Sequence, residues 1–149
     1  MKKSFLYVLA AVTGLFLGSS ITVADTDIPV TPDKLPAAAQ TFIKQYFPEQ
    51  TIIFAEKDVD FMKTKYEVHL DDGSEINFTG NGDWDKVECK LRPVPAALVP
   101  EAIATTVQAQ FPGSAIMKID KEKYGWEIEL NNDLDLKFSK TGQLYGIDD

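Results

Sequence analysis

The fold is decided by two short segments, Tyr66-Glu67-Val68-His69-Leu70 and Trp126-Glu127-Ile128-Glu129-Leu130. In each segment apolar and polar residues alternate, which is typical of a strand that buries one face. Turn-forming residues such as Asp and Asn follow each segment, and a second alternating run then contains Phe78 or Phe138. Each region is therefore predicted to form a β-hairpin with one apolar face.

A helix is predicted before each hairpin. The first begins at Pro36, where the missing amide hydrogen has no cost, and the second begins at Pro100. Both end at a Phe-Pro pair, Phe47-Pro48 and Phe111-Pro112, because proline cannot continue a helix. Apolar residues recur at helical spacing between these limits, namely Ala39, Phe42, Ile43, Tyr46 and Phe47 in the first helix and Ile103, Val107 and Phe111 in the second.

The same order of landmarks thus occurs twice, at an offset of 64 residues for the Phe-Pro pairs and 60 for the hairpins. Further strands, predicted over residues 52–57 and 83–91, complete the first copy. We predict an α+β fold of two tandem repeats, residues 25–91 and 92–149, each with one helix packed on a four-stranded antiparallel meander. The two sheets are expected side by side with both helices on one surface, and the seam is Arg92-Pro93-Val94-Pro95.

Residues 1–24 have the layout of a secretory signal peptide. Lys2 and Lys3 precede the uncharged apolar run 5–17, and small residues then lead to Ala24. The sequence therefore predicts a periplasmic or secreted protein with no membrane anchor after cleavage. Without the two leader lysines the chain has 13 basic residues against 23 acidic ones, a net charge of −10. We expect no affinity for nucleic acid, because lysine and arginine provide the affinity for phosphate backbones.

The motifs that punctuate the chain are the Leu35-Pro36 helix start, the Phe-Pro stops, the aromatic-Glu-Val/Ile-x-Leu strands, the Asp72-Gly73 turn and the glycine before each last strand. Together they resemble the PepSY-like, β-lactamase-inhibitor-protein-like family of exported bacterial proteins, here in tandem, and the resemblance extends from Ile28 to Asp148. The resemblance implies a sheet face that is left open for contact. Because the inhibitor proteins that give the family its name bind and inhibit other proteins, it also implies binding and inhibition of a protein. The chain has one cysteine, so it lacks the inhibitors' disulfide pair, and inhibition of a β-lactamase is not implied.

Catalytic chemistry has few candidates in this sequence. His69 is the only histidine and Cys89 the only cysteine, and strand alternation places them on opposite faces. A nucleophile and its base must lie within hydrogen-bond reach, and a zinc site needs three or four converging ligands. The sequence therefore predicts a non-enzymatic protein without a cofactor. A hydrolase that uses two carboxylates is the third hypothesis, although no pair is distinguished by its setting.

Acidic residues at the predicted hairpin turns suggest an alternative, a small-molecule or calcium-binding module. The candidate ligands are Asp71, Asp72, Glu75, Asp133 and Asp135, and carboxylate oxygens suit calcium. Their spacing does not match an EF-hand, and hairpin turns select Asp, Asn and Gly for backbone reasons. Turn geometry is therefore the favoured interpretation of these residues.

The face of the sheet turned away from the helices is the preferred site for binding a protein or peptide partner. Strand alternation assigns to it the candidate contacts Phe54, Phe61, Met62, Lys65, Glu67, His69 and Trp84. A turn predicted at Asp58-Val59 places Phe61 diagonal to Phe54, and exposed aromatic residues are the usual anchors of interfaces. The alternative is that these rings pack against residues 25–32 or a neighbouring strand.

Overall fold

The computed structural model describes residues 26–149, and the predicted signal peptide lies outside them. Two α-helices and nine β-strands make up the fold. The helices are α1 (Ala37–Tyr46) and α2 (Glu101–Gln110). The strands are β1 (Thr26–Pro29), β2 (Ile52–Asp60), β3 (Lys63–Leu70), β4 (Glu75–Thr79), β5 (Trp84–Glu88), β6 (Ile116–Glu122), β7 (Gly125–Leu130), β8 (Asp135–Ser139) and β9 (Leu144–Asp148).

All nine strands form one antiparallel sheet in chain order from β1 to β9. The α+β class is therefore confirmed, whereas the prediction of two four-stranded sheets is wrong. β5 pairs with β6, with Val87 opposite Ile119, and this pairing continues the sheet across the predicted seam. β1 pairs with β2, opposite residues 56–59, and adds a strand that the sequence analysis missed. A four-residue strand containing Pro29 is too short to show a period of two.

Both helices pack on one face of this sheet and share a single core. Phe42 on α1 meets Phe78 on β4 edge to face, with ring centroids 5.5 Å apart. Fully buried residues from the strands of both halves line the same core, and they include Val68, Ile76, Phe78, Val87, Ile119, Ile128, Leu136 and Phe138. Burial of this continuous apolar face is the main stabilising contribution.

Both helices end at the predicted Phe-Pro pairs. The Phe47 amide donates to the Ile43 carbonyl and the Phe111 amide donates to the Val107 carbonyl, each at 2.8 Å, and proline then ends the helix. The start of α1 sits on the β4–β5 turn at Gly82, where φ is +88° and a Cβ atom would lie 2.8 Å from the Pro36 Cβ. Only glycine fits this turn, because it tolerates positive φ and lets the helix approach.

Bulges shift two side chains from their predicted face. Phe78 lies opposite Trp84 while Asn77 lies opposite Lys86, so that Asp85 is an extra residue. Trp84 therefore points to the helix side, where its ring lies 6.0 Å from that of Phe42. Its assignment to the open face was wrong.

A second bulge occurs in β2, because Ile52 lies opposite Leu70 but Phe54 lies opposite His69. Ile53 is the extra residue there. Strict alternation would put Ile52 on the same open face as Phe54, but Ile52 packs against the core. Strict alternation cannot anticipate either shift.

The β2–β3 hairpin turns later than predicted. Asp60 pairs with Lys63, which leaves Phe61 and Met62 as the turn residues. Strand β2 continues through Val59 because this residue is paired on both sides, with Thr26 and with Thr64. Among residues 26–149, neither helix has the length and apolar character needed to span a membrane.

We expect Phe78→Ala and Phe138→Ala each to lower the free energy of unfolding by about 3 to 5 kcal/mol, the usual range for truncating a buried aromatic residue. Both side chains are fully buried. Urea denaturation of the variants measures this loss, with Tyr145→Ala as the exposed aromatic control, for which a change within about 0.5 kcal/mol is expected. A loss below about 1 kcal/mol in Phe78→Ala or Phe138→Ala would contradict the core assignment.

Candidate functional site

The face of the sheet opposite the helices carries a ladder of charged and polar side chains. Lys65, Glu67 and His69 lie on it along β3, as predicted from alternation, with Glu67 opposite Asn77 and His69 opposite Glu75 on β4. Most of these side chains are half-buried by their neighbours. Helices α1 and α2 both pack on the other face, so neither of them covers this open face.

A compact group forms where β3 and β4 pair. Nε2 of His69 lies 2.7 Å from Oε1 of Glu67, and Glu75 completes the group. One potential ligand atom from each of the three residues lies within 4.8 Å of the other two. The Phe54 ring lies beside the imidazole, 5.8 Å between centroids, and remains 42% exposed. Phe54 is therefore on the open face, as the sequence predicted.

Carboxylates are crowded at the β2 side of this group. Glu56 lies directly opposite Glu67 on β3, and Asp27 lies opposite Asp58 on β2. Burial, followed by the charges of Asp27 and Glu67, raises the pKa of the Glu56 carboxyl. Like charges at directly opposed positions destabilise a sheet, so this part of the face has an excess of negative potential.

Lys86 on β5 pairs with carboxylates on β4 and β5. Lys86 donates to Glu75 at 2.8 Å and lies 3.3 Å from Glu88. Burial alone lowers the pKa of Lys86, but the hydrogen bond and negative charge of Glu75 outweigh it, and the pKa is raised. Lys86 is therefore a fixed cation that orients Glu75.

The tip of the β2–β3 hairpin is the most exposed apolar feature among residues 26–149. Phe61 is 85% exposed and Met62 is 81% exposed. The prediction that Phe61 is a diagonal neighbour of Phe54 is wrong, because the turn lies at Phe61-Met62. Phe61 follows Phe54 by seven positions, which is about 20 Å along an extended strand. Phe54 and Phe61 are thus two separate anchors.

A cleft of about 840 Å³ lies beside this tip, among the β2–β3, β4–β5 and β6–β7 turns. The short β4–β5 turn forms its floor, with Gly80 and Asn81. The lysines that line the cleft are Lys57, Lys63, Lys65, Lys121 and Lys123. A cluster of this size is notable in a chain whose net charge is −8, and Tyr124 next to it is 73% exposed.

Two of these lysines are held in place by neighbouring groups. Lys121 Nζ lies 3.6 Å from the centroid of the Trp84 ring and donates to the Trp84 carbonyl at 2.9 Å. Lys65 Nζ lies 3.7 Å from Oδ2 of Asp85, the bulge residue. The sequence analysis found only Lys65, because the other lysines are brought together by hairpin ends that lie far apart in the chain.

The acidic turns serve backbone geometry. Asp72 accepts a hydrogen bond from the Ser74 amide at 2.9 Å and lies 3.3 Å from Nη2 of Arg92, and Asp133 adopts a positive φ of 64°. Among residues 26–149, the only His, Cys, Asp and Glu side chains that form a group of three with a common centre are Glu67, His69 and Glu75. Asp71, Asp72, Asp133 and Asp135, the candidate ligands of the alternative hypothesis, are outside this group, whereas Glu75 belongs to it.

Cys89 and His69 do not form a pair. Cys89 is buried in the core with 1% exposure, and its pKa is raised by burial, whereas His69 lies on the open face. A buried thiol of raised pKa is inert as a nucleophile.

Known proteins resemble this chain in sequence and in structure. The family model described as "Putative beta-lactamase-inhibitor-like, PepSY-like" matches residues 64–145. A "putative periplasmic protein" of the DUF2874 family from Bacteroides vulgatus ATCC 8482 is 35% identical, with a TM-score of 0.80 and coverage of 85% of this chain and 99% of that chain. No curated protein matches the chain.

Two further crystal structures have the same fold. A "putative calcium-regulated periplasmic protein" from Bacteroides thetaiotaomicron is 35% identical, with a TM-score of 0.78 and coverage of 83% of this chain and 97% of that chain. A "putative periplasmic protein of unknown function" from Bacteroides vulgatus ATCC 8482 is 31% identical, with a TM-score of 0.80 and coverage of 83% and 100%.

Proposed function

Because the chain belongs to the PepSY-like, β-lactamase-inhibitor-like family and is a periplasmic protein, we propose that it is a non-enzymatic binding protein. Its partner is a protein or peptide that contacts the open sheet face and the hairpin end of the sheet. The family's name suggests that binding inhibits the partner. No nucleic acid is expected to bind, because the chain is acidic overall.

One observation carries this proposal, namely the juxtaposition of exposed apolar residues and a basic cleft at the hairpin end. Phe61 and Met62 project on one side of the cleft, and Tyr124 lies on the other hairpin. Aromatic and methionine side chains with a polar rim are typical of interface centres. The cleft is lined by five lysines against two acidic residues, Asp85 and Glu122, so the partner is proposed to present an acidic segment to it.

The arrangement of the two halves supports the proposal that residues 25–91 and 92–149 are repeats of one unit. Each described half contains a helix followed by a four-stranded meander. The pairing registers correspond at an offset of 60, since Tyr66 lies opposite Phe78 and Trp126 lies opposite Phe138. The hairpin tip differs most, because the first copy has four additional residues before Tyr66. The longer hairpin of the first copy carries the candidate anchors Phe61 and Met62 at its turn.

We expect the double variant Phe61→Ser/Met62→Ser to lose the partner without losing the fold. Both side chains are exposed, so each change should alter the free energy of unfolding by about 0.5 kcal/mol or less. The measurement is affinity capture from the periplasm of the source bacterium, with wild type and variants as bait. Lys63→Glu should weaken the same capture, and its difference from wild type should shrink as salt is added, because salt screens the interaction between exposed charges.

Tyr145→Ser is the matched control, because this ring is also exposed but lies on β9, away from the cleft. The control should capture the same partners as wild type. If the double variant remains folded and still captures every wild-type partner, the binding surface lies elsewhere and the proposal is wrong.

Calcium binding at the acidic turns is the second candidate function, and it is favoured by the relative from Bacteroides thetaiotaomicron that is described as a "putative calcium-regulated periplasmic protein". The turn carboxylate of Asp72 is already engaged by the Ser74 amide and Arg92. We therefore expect millimolar calcium to change the melting temperature no more than millimolar magnesium does. A specific site at a hundredfold excess over its Kd would instead stabilise the fold by about 2.7 kcal/mol. A calcium-specific rise that Asp72→Asn or Asp135→Asn abolishes would establish this second function.

A further inference from the structure

We propose that Glu67, His69 and Glu75 form a binding site for a divalent transition-metal ion, with zinc as the probe. The three residues lie near the turn of the β3–β4 hairpin on the open face, where Glu67 and His69 are two residues apart on β3 and Glu75 lies opposite His69 on β4. Each offers a donor atom to a common centre. Two carboxylates and one imidazole are a donor set that zinc accepts, with an open fourth position.

The distances are close to those that a bound ion requires. Zinc bonds of about 2.0 to 2.2 Å place neighbouring donor atoms roughly 3 to 3.5 Å apart. The Glu67 and His69 donors are 2.7 Å apart, and all three donors lie within 4.8 Å of one another. Binding therefore needs a shift of about 1 to 2 Å in flexible glutamate side chains, and the imidazole nitrogen that binds the ion must carry no proton.

Neighbouring side chains already contact two of the three donors, Glu75 and His69. Lys86 donates to one oxygen of Glu75 at 2.8 Å, and a carboxylate has further acceptor positions. Phe54 packs beside the imidazole. Such support of metal ligands by hydrogen bonds and packing is usual around metal sites.

The second half of the chain shows what occupies the corresponding positions there. By the strand registers, Glu127, Glu129 and Asp135 correspond to Glu67, His69 and Glu75. The residue opposite Glu129 is Lys118, whereas Phe54 lies opposite His69. Lys118 Nζ reaches Glu127 at 3.3 Å and Glu129 at 3.9 Å.

Lys118 therefore sits between two carboxylates of the second half, while the first half has a phenyl ring in its place. The internal cation of the first half, Lys86, contacts only Glu75 among the three proposed donors. Negative charge at the first position is further increased by Glu56, which lies opposite Glu67. A cation from solution can neutralise it. The imidazole favours zinc or a similar ion over calcium, which prefers oxygen donors.

The test is a zinc titration of the purified, tag-free protein, followed by NMR of the imidazole protons. His69 is the only histidine in the chain, so its two carbon-bound ring protons give an unambiguous signal. We expect them to shift and saturate at one equivalent of zinc. A fivefold excess of calcium should leave them unchanged.

Variants locate the donors. His69→Gln and Glu75→Gln should each weaken zinc binding by at least about tenfold, since loss of a ligand costs no less than loss of a supporting group. Phe54→Lys should weaken it as well, because it introduces the ammonium group present in the second half. Glu129→Gln is the matched control and should bind zinc like wild type.

Several results would overturn the proposal. One is that the His69 signals of wild type do not move at two equivalents of zinc, which requires no variant to fold. Another is that folded His69→Gln binds zinc with unchanged affinity, since this would assign the binding to carboxylates alone. A stronger response to calcium than to zinc would also contradict it.

Discussion

The pairing of β5 with β6 joins the two halves of the chain into one sheet, and the rest of the structure depends on it. Val87 and Ile119 face each other there and are both fully buried under the helices. On the opposite face, Lys86 lies across from Asp120 and Glu88 from Lys118, so opposite charges are paired. The Cys89 amide continues the ladder by donating to the Met117 carbonyl at 2.8 Å.

The pairing of β5 with β6 determines the positions of the open face and of the basic cleft. Because the sheet is continuous, both helices cover the same face and the charged face extends without interruption across both halves. The hairpin ends of β2–β3 and β6–β7 also come to the same end of the sheet, where they enclose the basic cleft. Stability is thus concentrated on the helix side, and the open face and hairpin tips can vary in sequence at little cost to folding.

Much of this architecture is predictable from the sequence. The helix stops at Phe47-Pro48 and Phe111-Pro112 and the hairpin around Asp72 follow from local chemistry, and the family resemblance is confirmed by the comparisons. The open-face positions of Glu67 and His69 also follow from the period of two. Localisation in the periplasm agrees with the leader-like residues 1–24 and with the relatives.

The remaining features depend on long-range pairing. Trp84 is on the helix side because Asp85 bulges, and no local pattern shows that insertion. The β2–β3 turn lies at Phe61-Met62 because β1 extends the pairing of β2 through Val59. Lys121 joins Lys63 at the cleft only through the β5–β6 junction. The Glu67–His69–Glu75 group could not be predicted without knowing that Glu75 pairs with His69. Alternation along one strand does not show which residue lies opposite on the next strand.

The central claim, that the two halves form one cooperative sheet through β5 and β6, is tested most directly by native-state amide hydrogen exchange. The decisive amides are Cys89 and Val94, which donate to Met117 and Ile116 across the junction. If the claim is right, the Cys89 amide exchanges only through global unfolding, with the same opening free energy as Val68 in the core. Exchange at Cys89 and Val94 through a local opening far below the global free energy, while Val68 and Ile128 stay protected, would show two independent sheets and contradict it.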